Sequence, residues 1–167
     1  RNGGLRMLWR CPPWAHRLSC IAVRGGPSTR GHNAVRDVLF KVACSLDSSS
    51  EHEPTGLISS RPLLRPADLL TGASGFSARL AALDVGICCP GAAGASSDCV
   101  ETMRQRKMAR MQPFGAELEQ AGVDYKPITF SCFERPHPDA KALFRSFATK
   151  LGRRRGSEAH LEERRLA

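Results

Sequence analysis

The segment over residues 80–89 constrains the fold more than any other part of the chain, because it is apolar almost throughout. Leu83, Val85 and Ile87 alternate along it, which predicts a β-strand with these three side chains on one face. Asp84 falls on the opposite face. A charge is rarely buried unless it is paired or bound to a metal. This segment therefore predicts both a sheet core and a polar site on that sheet.

Helical and strand periodicities surround this strand. The predicted elements are a helix over residues 33–47, strands over 65–71 and 80–89, a helix over 100–121 that Pro113 kinks or divides, a strand over 125–133, and a helix over 138–151 that Gly152 ends. Residues 48–53 and 91–97 are predicted as loops. Because a helix crosses between strands, we expect an α/β fold with a mixed sheet and helices on its faces.

The charges are unevenly distributed along the chain. There are 25 lysines and arginines against 16 acidic residues, for a net charge of +9. Residues 1–37 hold seven arginines and one acid, whereas residues 44–103 hold three arginines and seven acids. A basic frame around an acidic centre is typical of a protein that binds a polyanion and keeps carboxylates for a metal. A generically basic surface is the alternative, and composition does not decide between them.

The apolar pattern and the cysteines exclude several classes of protein. No apolar run approaches the roughly 18 residues that a membrane span needs, and residues 5–23 mix Trp, Pro, His and Arg, unlike a signal peptide. The seven cysteines are odd in number, which favours reduced thiols or a metal site over a disulfide framework. We therefore expect a nuclear or otherwise intracellular protein, not secreted and with no membrane partner. Because the chain begins at Arg1, we expect it to be a piece of a longer protein.

Three charged residues lie where the apolar pattern predicts burial, namely Asp68, Asp84 and Lys107. Lys107 occupies the apolar stripe of its helix between Met103 and Met111, so Lys107→Met is expected to keep or raise stability. Two carboxylates on neighbouring strands and a lysine from the packed helix could satisfy one another around a divalent cation. Structural roles are the alternative: a strand-end cap for Asp84, an Asx turn for Asp68 and a snorkelling ammonium for Lys107.

The order of these motifs resembles that of a nuclease family. Residues 65–68 (Arg-Pro-Ala-Asp) followed by residues 81–85 (Ala-Ala-Leu-Asp-Val) resemble the PD-(D/E)XK signature, and more closely the restriction-like endonuclease of site-specific non-LTR retrotransposons. Residues 16–20 and 30–37 resemble the zinc-knuckle and helix segments before that nuclease. The signature's Pro-Asp is here Pro-Ala-Asp, and Gly86 stands where the signature has its lysine. On this resemblance Lys107 is a migrated lysine.

The resemblance implies a restriction-endonuclease-like mixed sheet flanked by helices, after a short Cys/His-containing N-terminal segment. It implies that Asp68 and Asp84 bind Mg²⁺, and that Lys107 orients the attacking water or stabilises charge on the phosphate. The implied function is a metal-dependent DNA endonuclease that nicks target DNA for target-primed reverse transcription. Its implied partners are DNA, the element RNA and an upstream reverse transcriptase domain. The alternatives are a non-catalytic nucleic-acid-binding module and an inactive mobile-element remnant.

Further ligands and phosphate contacts can be named from the sequence. Glu53 and His32 are candidate additional residues at the magnesium site. His16 and Cys20 have the spacing of half a Zn²⁺ site, which Cys11 and His32 would complete, and free cysteines in a loop are the alternative. The candidate phosphate contacts are Arg36, Arg65, Arg106, Arg110, Arg153, Arg154 and Arg155. The predicted division is a basic Cys/His segment over residues 1–31, a nuclease-like domain over 32–152 and a charged tail over 153–167.

Overall fold

The computed structural model describes residues 27–90 and 98–166, with side chains described for residues 30–90 and 98–156. This part of the chain forms four α-helices and four strands. In chain order they are α1 (Pro27–Leu46), β1 (Glu51–His52), β2 (Leu69–Thr71), β3 (Leu80–Cys88), α2 (Cys99–Met111), α3 (Gly115–Gln120), β4 (Val123–Ser131) and α4 (Pro138–Leu166). A 3-10 turn over Gln112–Phe114 joins α2 to α3.

The four strands form one mixed sheet in the order β1-β2-β3-β4. β1 pairs antiparallel with β2, and β2 pairs antiparallel with β3, whereas β3 and β4 run parallel. Parallel neighbours need a crossover connection, and α2 and α3 supply it on one face of the sheet. The predicted α/β class, with a mixed sheet and helices on its faces, is therefore confirmed.

Two apolar cores lie on the two faces of the sheet, because alternate residues of a strand point to opposite faces. The core between the sheet and helices α1 and α4 contains Leu39, Ala43, Leu69, Leu83, Val85, Ile128, Leu143 and Phe147. The core beneath α2 and α3 contains Ile58, Ala67, Leu70, Ala82, Met111, Leu118 and Val123. Asp84 shares the face of Ala82, as its place in the alternation predicts.

Two strand predictions need correction. Residues 48–53 are predicted as a loop, but Glu51–His52 pairs with β2 as an edge strand. β2 begins at Leu69 rather than at residue 65, although the Asp68 backbone N–H still donates to Leu83 O at 3.0 Å. Short edge strands depend on their partner strand, which local periodicity does not report.

The helices also differ from prediction at their ends. α1 begins at Pro27 rather than at residue 33. α4 does not end at Gly152 but continues to Leu166. A glycine ends a helix by adopting the left-handed conformation, as Gly122 does after α3 with φ 70°. Gly152 does not have a positive φ, so the helix continues through it. Pro113 divides α2 from α3 as predicted. The predicted loop over residues 91–97 lies outside the described residues. None of the described helices combines the length and apolarity needed to cross a membrane.

Candidate functional site

Asp84 lies in the middle of β3, on the face that α2 covers, and its side chain is only 8% exposed. Lys107 of α2 donates from Nζ to Asp84 Oδ1 at 2.6 Å. Tyr125 of β4 donates its hydroxyl to Asp84 Oδ2, and Arg110 Nη2 lies 3.8 Å from the same oxygen. Burial and the charge of Asp84 both raise the pKa of Tyr125, so the phenol stays protonated and remains a donor. Both oxygens of the buried carboxylate therefore have partners.

Asp68 precedes β2 and, by the register of β2 on β3, lies opposite Asp84 on the same face. Its Oδ2 accepts the backbone N–H of Val85 at 2.7 Å and lies 3.3 Å from His32 Nε2. Burial acts to raise the pKa of Asp68, but His32, the Val85 N–H and the charge of Lys107 together hold that pKa below its ordinary value of 3.8. Asp68 is therefore ionised at neutral pH.

His32 reaches the same place from the beginning of α1. Its Nε2 lies 3.2 Å from Val85 O and 3.3 Å from Asp68 Oδ2, and its Nδ1 lies 3.4 Å from Asn33 Oδ1. The hydrogen bond to Asp68 raises the pKa of His32 above its ordinary value of 6.5, although burial acts in the opposite direction. His32 thus lies beside a candidate magnesium ligand, with both ring nitrogens already partnered.

The aliphatic part of Lys107 crosses β3 over Gly86, two residues beyond Asp84. A Cβ atom at Gly86 would lie 2.8 Å from Lys107 Cε and 3.1 Å from both Met103 Cγ and Thr129 Cγ2. Carbon atoms pack at about 3.5–4.0 Å, so a side chain at residue 86 would displace the lysine. Lys107 reaches Asp84 through the space that the glycine leaves.

Asp68, Asp84 and Lys107 line one cavity of about 290 Å³, which is partly open to solvent. The structure thus brings together the three residues that the apolar pattern singles out. Two of the predicted phosphate contacts, Arg65 and Arg110, line the same cavity. Its charged lining is balanced between three carboxylates and three cations, which are Glu53, Asp68, Asp84, Arg65, Lys107 and Arg110.

The arginines of α4 lie elsewhere. Arg153, Arg154 and Arg155 are exposed, and Arg154 Nη1 donates to Ser45 O, close to the C-terminal end of α1. His32 lies near the opposite end of α1, and a rise of 1.5 Å per residue separates the two by roughly 20 Å. The α4 arginines therefore do not belong to the cavity, and their contact with nucleic acid stays a prediction.

Two other predicted phosphate contacts lie nearer the cavity. Arg106 is exposed on α2, one turn before Arg110, so both can face solvent. Arg36 of α1 is 15% exposed and pairs with Glu53, at the border of the cavity. Neither residue lines the cavity itself, but Arg36 contacts Glu53, which does.

The predicted zinc site is not tested by the described residues. Cys11, His16 and Cys20 lie outside them, and His32 has the partners given above. Within the described ranges, no group of three or more His, Cys, Asp or Glu side chains is arranged to hold a metal ion. A magnesium site can need less, since Mg²⁺ keeps several waters and is usually bound by one or two carboxylates plus substrate phosphates.

The cysteines of the described part are free thiols. Cys88 Sγ lies 3.3 Å from Cys99 Sγ, near the C-terminal end of β3. Burial raises the pKa of Cys88 and of Cys132 to about 12, so both thiols stay protonated and are weak nucleophiles. These cysteines form no disulfide framework.

Tyr125 is a residue of the site that sequence reasoning misses. It is the one tyrosine of the chain, and its register partner on β3 is Ala82. Alternation along β4 could have indicated that its ring faces the same side as Asp84. That its hydroxyl reaches the carboxylate follows only from the register between β3 and β4.

A larger cavity, of about 680 Å³, lies along α2, α3 and β4. Three of its charged residues lie close to one another, since Arg79 Nη1 is 3.6 Å from Glu119 Oε1 and 4.0 Å from Asp124 Oδ1. It holds no cluster of buried carboxylates and cations comparable with that around Asp84. The smaller cavity is therefore the candidate site.

No family model, no curated protein and no solved structure matches this chain. The interpretation of the site therefore depends on the geometry of its own residues.

We predict that Gly86→Ala destabilises the protein and moves Lys107 away from Asp84. The added methyl group would overlap the lysine stem, and overpacking of this kind typically costs about 1–3 kcal/mol. Gly152→Ala is the matched control, because nothing lies within 4 Å of that position and alanine is the better helix former by about 0.5–1 kcal/mol. Urea unfolding of both variants checks this. Equal stabilisation by the two alanines would contradict the close approach at Gly86.

We predict that Lys107→Met lowers stability, in contrast to the expectation from the apolar stripe alone. The ion pair changes that expectation, because methionine leaves the Asp84 carboxylate buried without its nearest cation, at a cost of about 1–3 kcal/mol. In an Asp84→Asn background the same substitution should cost less, since no charge is left behind. A double-mutant cycle of unfolding free energies measures the coupling. Additive effects would show that the two side chains do not interact.

We predict that the contact between His32 and Asp68 stabilises the fold in an acidic window. The pKa of His32 is raised on folding, so its contribution is complete below 6.5 and is lost as the pH rises through the folded pKa. The pKa of Asp68 is lowered, so its contribution is complete above 3.8 and is lost as the pH falls through the folded pKa. His32→Gln should therefore destabilise most between these two values.

Thermal unfolding of the parent and His32→Gln at about pH 5 and about pH 9 measures this difference. His52→Gln is the control, because His52 Nε2 lies 3.8 Å from Asp37 Oδ1, whereas His32 Nε2 lies only 3.3 Å from Asp68 Oδ2. A loss of stability for His32→Gln that is the same at both pH values would show that the pair contributes no pH-dependent stability.

Proposed function

We propose that this chain is a metal-dependent DNA endonuclease domain with a restriction-endonuclease-like fold, as the motif resemblance implies. The observation that carries the proposal is that Asp68 (just before β2), Asp84 (on β3) and Lys107 (on α2) line one cavity. These three residues are far apart in the sequence, and each is charged at a position where the apolar pattern of the sequence predicts burial. A purely structural role would require only that each charge be neutralised, not that all three share an accessible cavity.

The arrangement of the strands supports the same fold. Asp68 lies just before β2, and Asp84 lies on the antiparallel neighbour β3. Lys107 follows on α2, the helix that connects β3 to the parallel strand β4. This is the order of the family's motifs. Gly86 stands where the signature has its lysine, and the stem of Lys107 fills the space above it. The ammonium group of the site would therefore come from α2 instead of from β3.

The donor set at this cavity fits magnesium. Asp68 and Asp84 offer carboxylate oxygens on one face of the sheet, and Mg²⁺ prefers oxygen ligands while it keeps positions for water and phosphate oxygens. A bound Mg²⁺ would supply polarisation of the scissile phosphate and a lowered pKa of a coordinated water. Asp68 is held ionised, as a metal ligand must be, by its hydrogen bonds to Val85 and His32.

The other residues of the cavity have roles that follow from their contacts. Lys107 would donate to the attacking water or to the charge that develops on the phosphate, and its hydrogen bond to Asp84 keeps its ammonium in place for that role. Tyr125 holds the second Asp84 oxygen and restrains the carboxylate. Arg110 and Arg65, both largely exposed, would contact the phosphates of the bound strand.

The proposed biological role is to nick a chromosomal target so that a reverse transcriptase can prime on the cut. The retrotransposon part of this proposal depends on the motif resemblance. The basic side chains around the cavity favour a polyanionic substrate, since cations that neutralise phosphates release bound counterions.

We predict that the protein nicks supercoiled plasmid in the presence of Mg²⁺, and that Asp68→Asn, Asp84→Asn and Lys107→Met each lose this activity. Loss of one preorganised electrostatic contact typically lowers the rate by ~10²–10³. Lys141→Met is the matched control for Lys107→Met, because it removes the same charge from an exposed position on α4. Conversion of supercoiled to open-circular plasmid is followed at a temperature where all variants are folded.

A Lys107→Met variant that nicks as fast as Lys141→Met would remove the lysine from the mechanism. Nicking that persists in EDTA would remove the metal. Salt-dependent binding of the plasmid without any nicking would instead favour a non-catalytic nucleic-acid-binding module.

A further inference from the structure

A second charged cluster borders the cavity. Arg36 Nη1 donates to Glu53 Oε1 at 2.8 Å, and Arg65 Nη1 donates to Glu53 Oε2. One carboxylate therefore lies between two guanidinium groups, with one oxygen on each. We call Arg36, Glu53 and Arg65 the Arg–Glu–Arg cluster.

The cluster is joined directly to the carboxylates of the candidate site. The Glu53 backbone N–H donates to Asp68 O at 2.8 Å. Glu53 and Arg65 line the same cavity as Asp68 and Asp84. A phosphodiester strand bound in this cavity would bring a neighbouring phosphate towards the cluster.

The backbone of Glu53 is held in an unfavourable conformation. Its φ is 47°, in the left-handed region that residues other than glycine and asparagine rarely adopt. Such conformations persist only where the surroundings enforce them, and they are common at ligand-binding sites. Here the Asp68 carbonyl and the two guanidinium groups hold Glu53 in place.

The two arginines differ in burial, and this determines which contact can be exchanged. The Arg36 side chain is 15% exposed and also pairs with Asp37 through Nη2 at 2.9 Å, so it keeps a partner if Glu53 moves. The Arg65 side chain is 62% exposed. Arg36 is thus a fixed donor, and Arg65 is an accessible one.

Guanidinium groups bind carboxylates and phosphates with the same planar donor geometry. We propose that the Arg–Glu–Arg cluster is a phosphate-binding subsite, in which the Glu53 carboxylate occupies the position of a DNA phosphate in the free protein. This rests on the proposed nuclease function, since the phosphate is that of the nucleotide next to the one at Asp68 and Asp84. On binding, the DNA phosphate replaces the Glu53 carboxylate on Arg65, so Glu53 competes with nucleic acid.

The test compares Glu53→Gln with Glu51→Gln in the full chain. Both variants remove one negative charge, but the Glu51 side chain is exposed on β1, and the ion pairs of Arg36 and Arg65 are with Asp37 and Glu53. Affinity for a short fluorescein-labelled DNA duplex is measured by anisotropy in EDTA over a series of KCl concentrations. Glu53→Gln should bind several-fold more tightly than Glu51→Gln at each KCl concentration, because the DNA phosphate no longer has to displace a carboxylate from Arg65.

A second measurement uses inorganic phosphate as the probe. A ligand that binds only the folded state raises the melting temperature with its concentration. Phosphate should raise the Tm of Glu53→Gln more than that of the parent or of Glu51→Gln. In Arg65→Gln/Glu53→Gln this additional rise should disappear, because the accessible donor is gone.

Equal DNA affinity of Glu53→Gln and Glu51→Gln, or an equal phosphate-dependent rise in Tm for all proteins, would overturn the subsite. Glu53 would then be an ion-pairing residue that ties α1 to the β1–β2 connection. Because both readouts are made without metal and without cleavage, they do not depend on nicking. If the parent nicks plasmid but the two variants bind DNA equally, only the subsite is overturned. If Glu53→Gln binds DNA more tightly but the parent does not nick plasmid, only the nuclease activity is overturned.

Discussion

A carboxylate buried in the middle of β3 determines how one side of this protein is arranged. Asp84 is 8% exposed, and its oxygens are partnered by Lys107 from α2 and by Tyr125 from β4. Removing one member of a buried charge pair is destabilising because it leaves the other charge without compensation. The strand, the helix and the neighbouring strand must therefore keep their relative positions, and the cavity between them is defined by the same contacts.

The glycine at residue 86 is the steric counterpart of that electrostatic constraint. A lysine on α2 can reach a carboxylate on β3 only if its stem crosses the strand closely, and a Cβ at Gly86 would lie 2.8 Å from Lys107 Cε. Lys107 can therefore lie within an apolar stripe, because its methylene groups pack against β3 while its ammonium group reaches Asp84. The site and the second apolar core are parts of one packing arrangement.

α1 closes the opposite side of the cavity with residues that neutralise its acids. His32 contacts Asp68, and Arg36 contacts Glu53, so two carboxylates near the entrance have partners from one helix. Together with Arg65, Lys107 and Arg110, which line the cavity, these two residues of α1 compensate its three carboxylates. Under the proposed function, a metal ion would add positive charge and a phosphate strand negative charge, and the charged side chains of the cavity would exchange partners rather than stay unpaired.

Alternation along residues 80–89 was sufficient to identify β3 and to put Asp84 on the opposite face from Leu83 and Val85. Helical spacing along residues 100–121 singled out Lys107 within an apolar stripe. These features are local, since they depend only on the periods of strands and helices. The edge strand β1 and the contact of the Tyr125 hydroxyl with Asp84 were decided by tertiary structure. Each depends on which element lies alongside, and so do the positions of His32 and Glu53. Sequence periodicity specifies the face on which a side chain lies, whereas its partner across the cavity is specified only when strand register and helix packing are set.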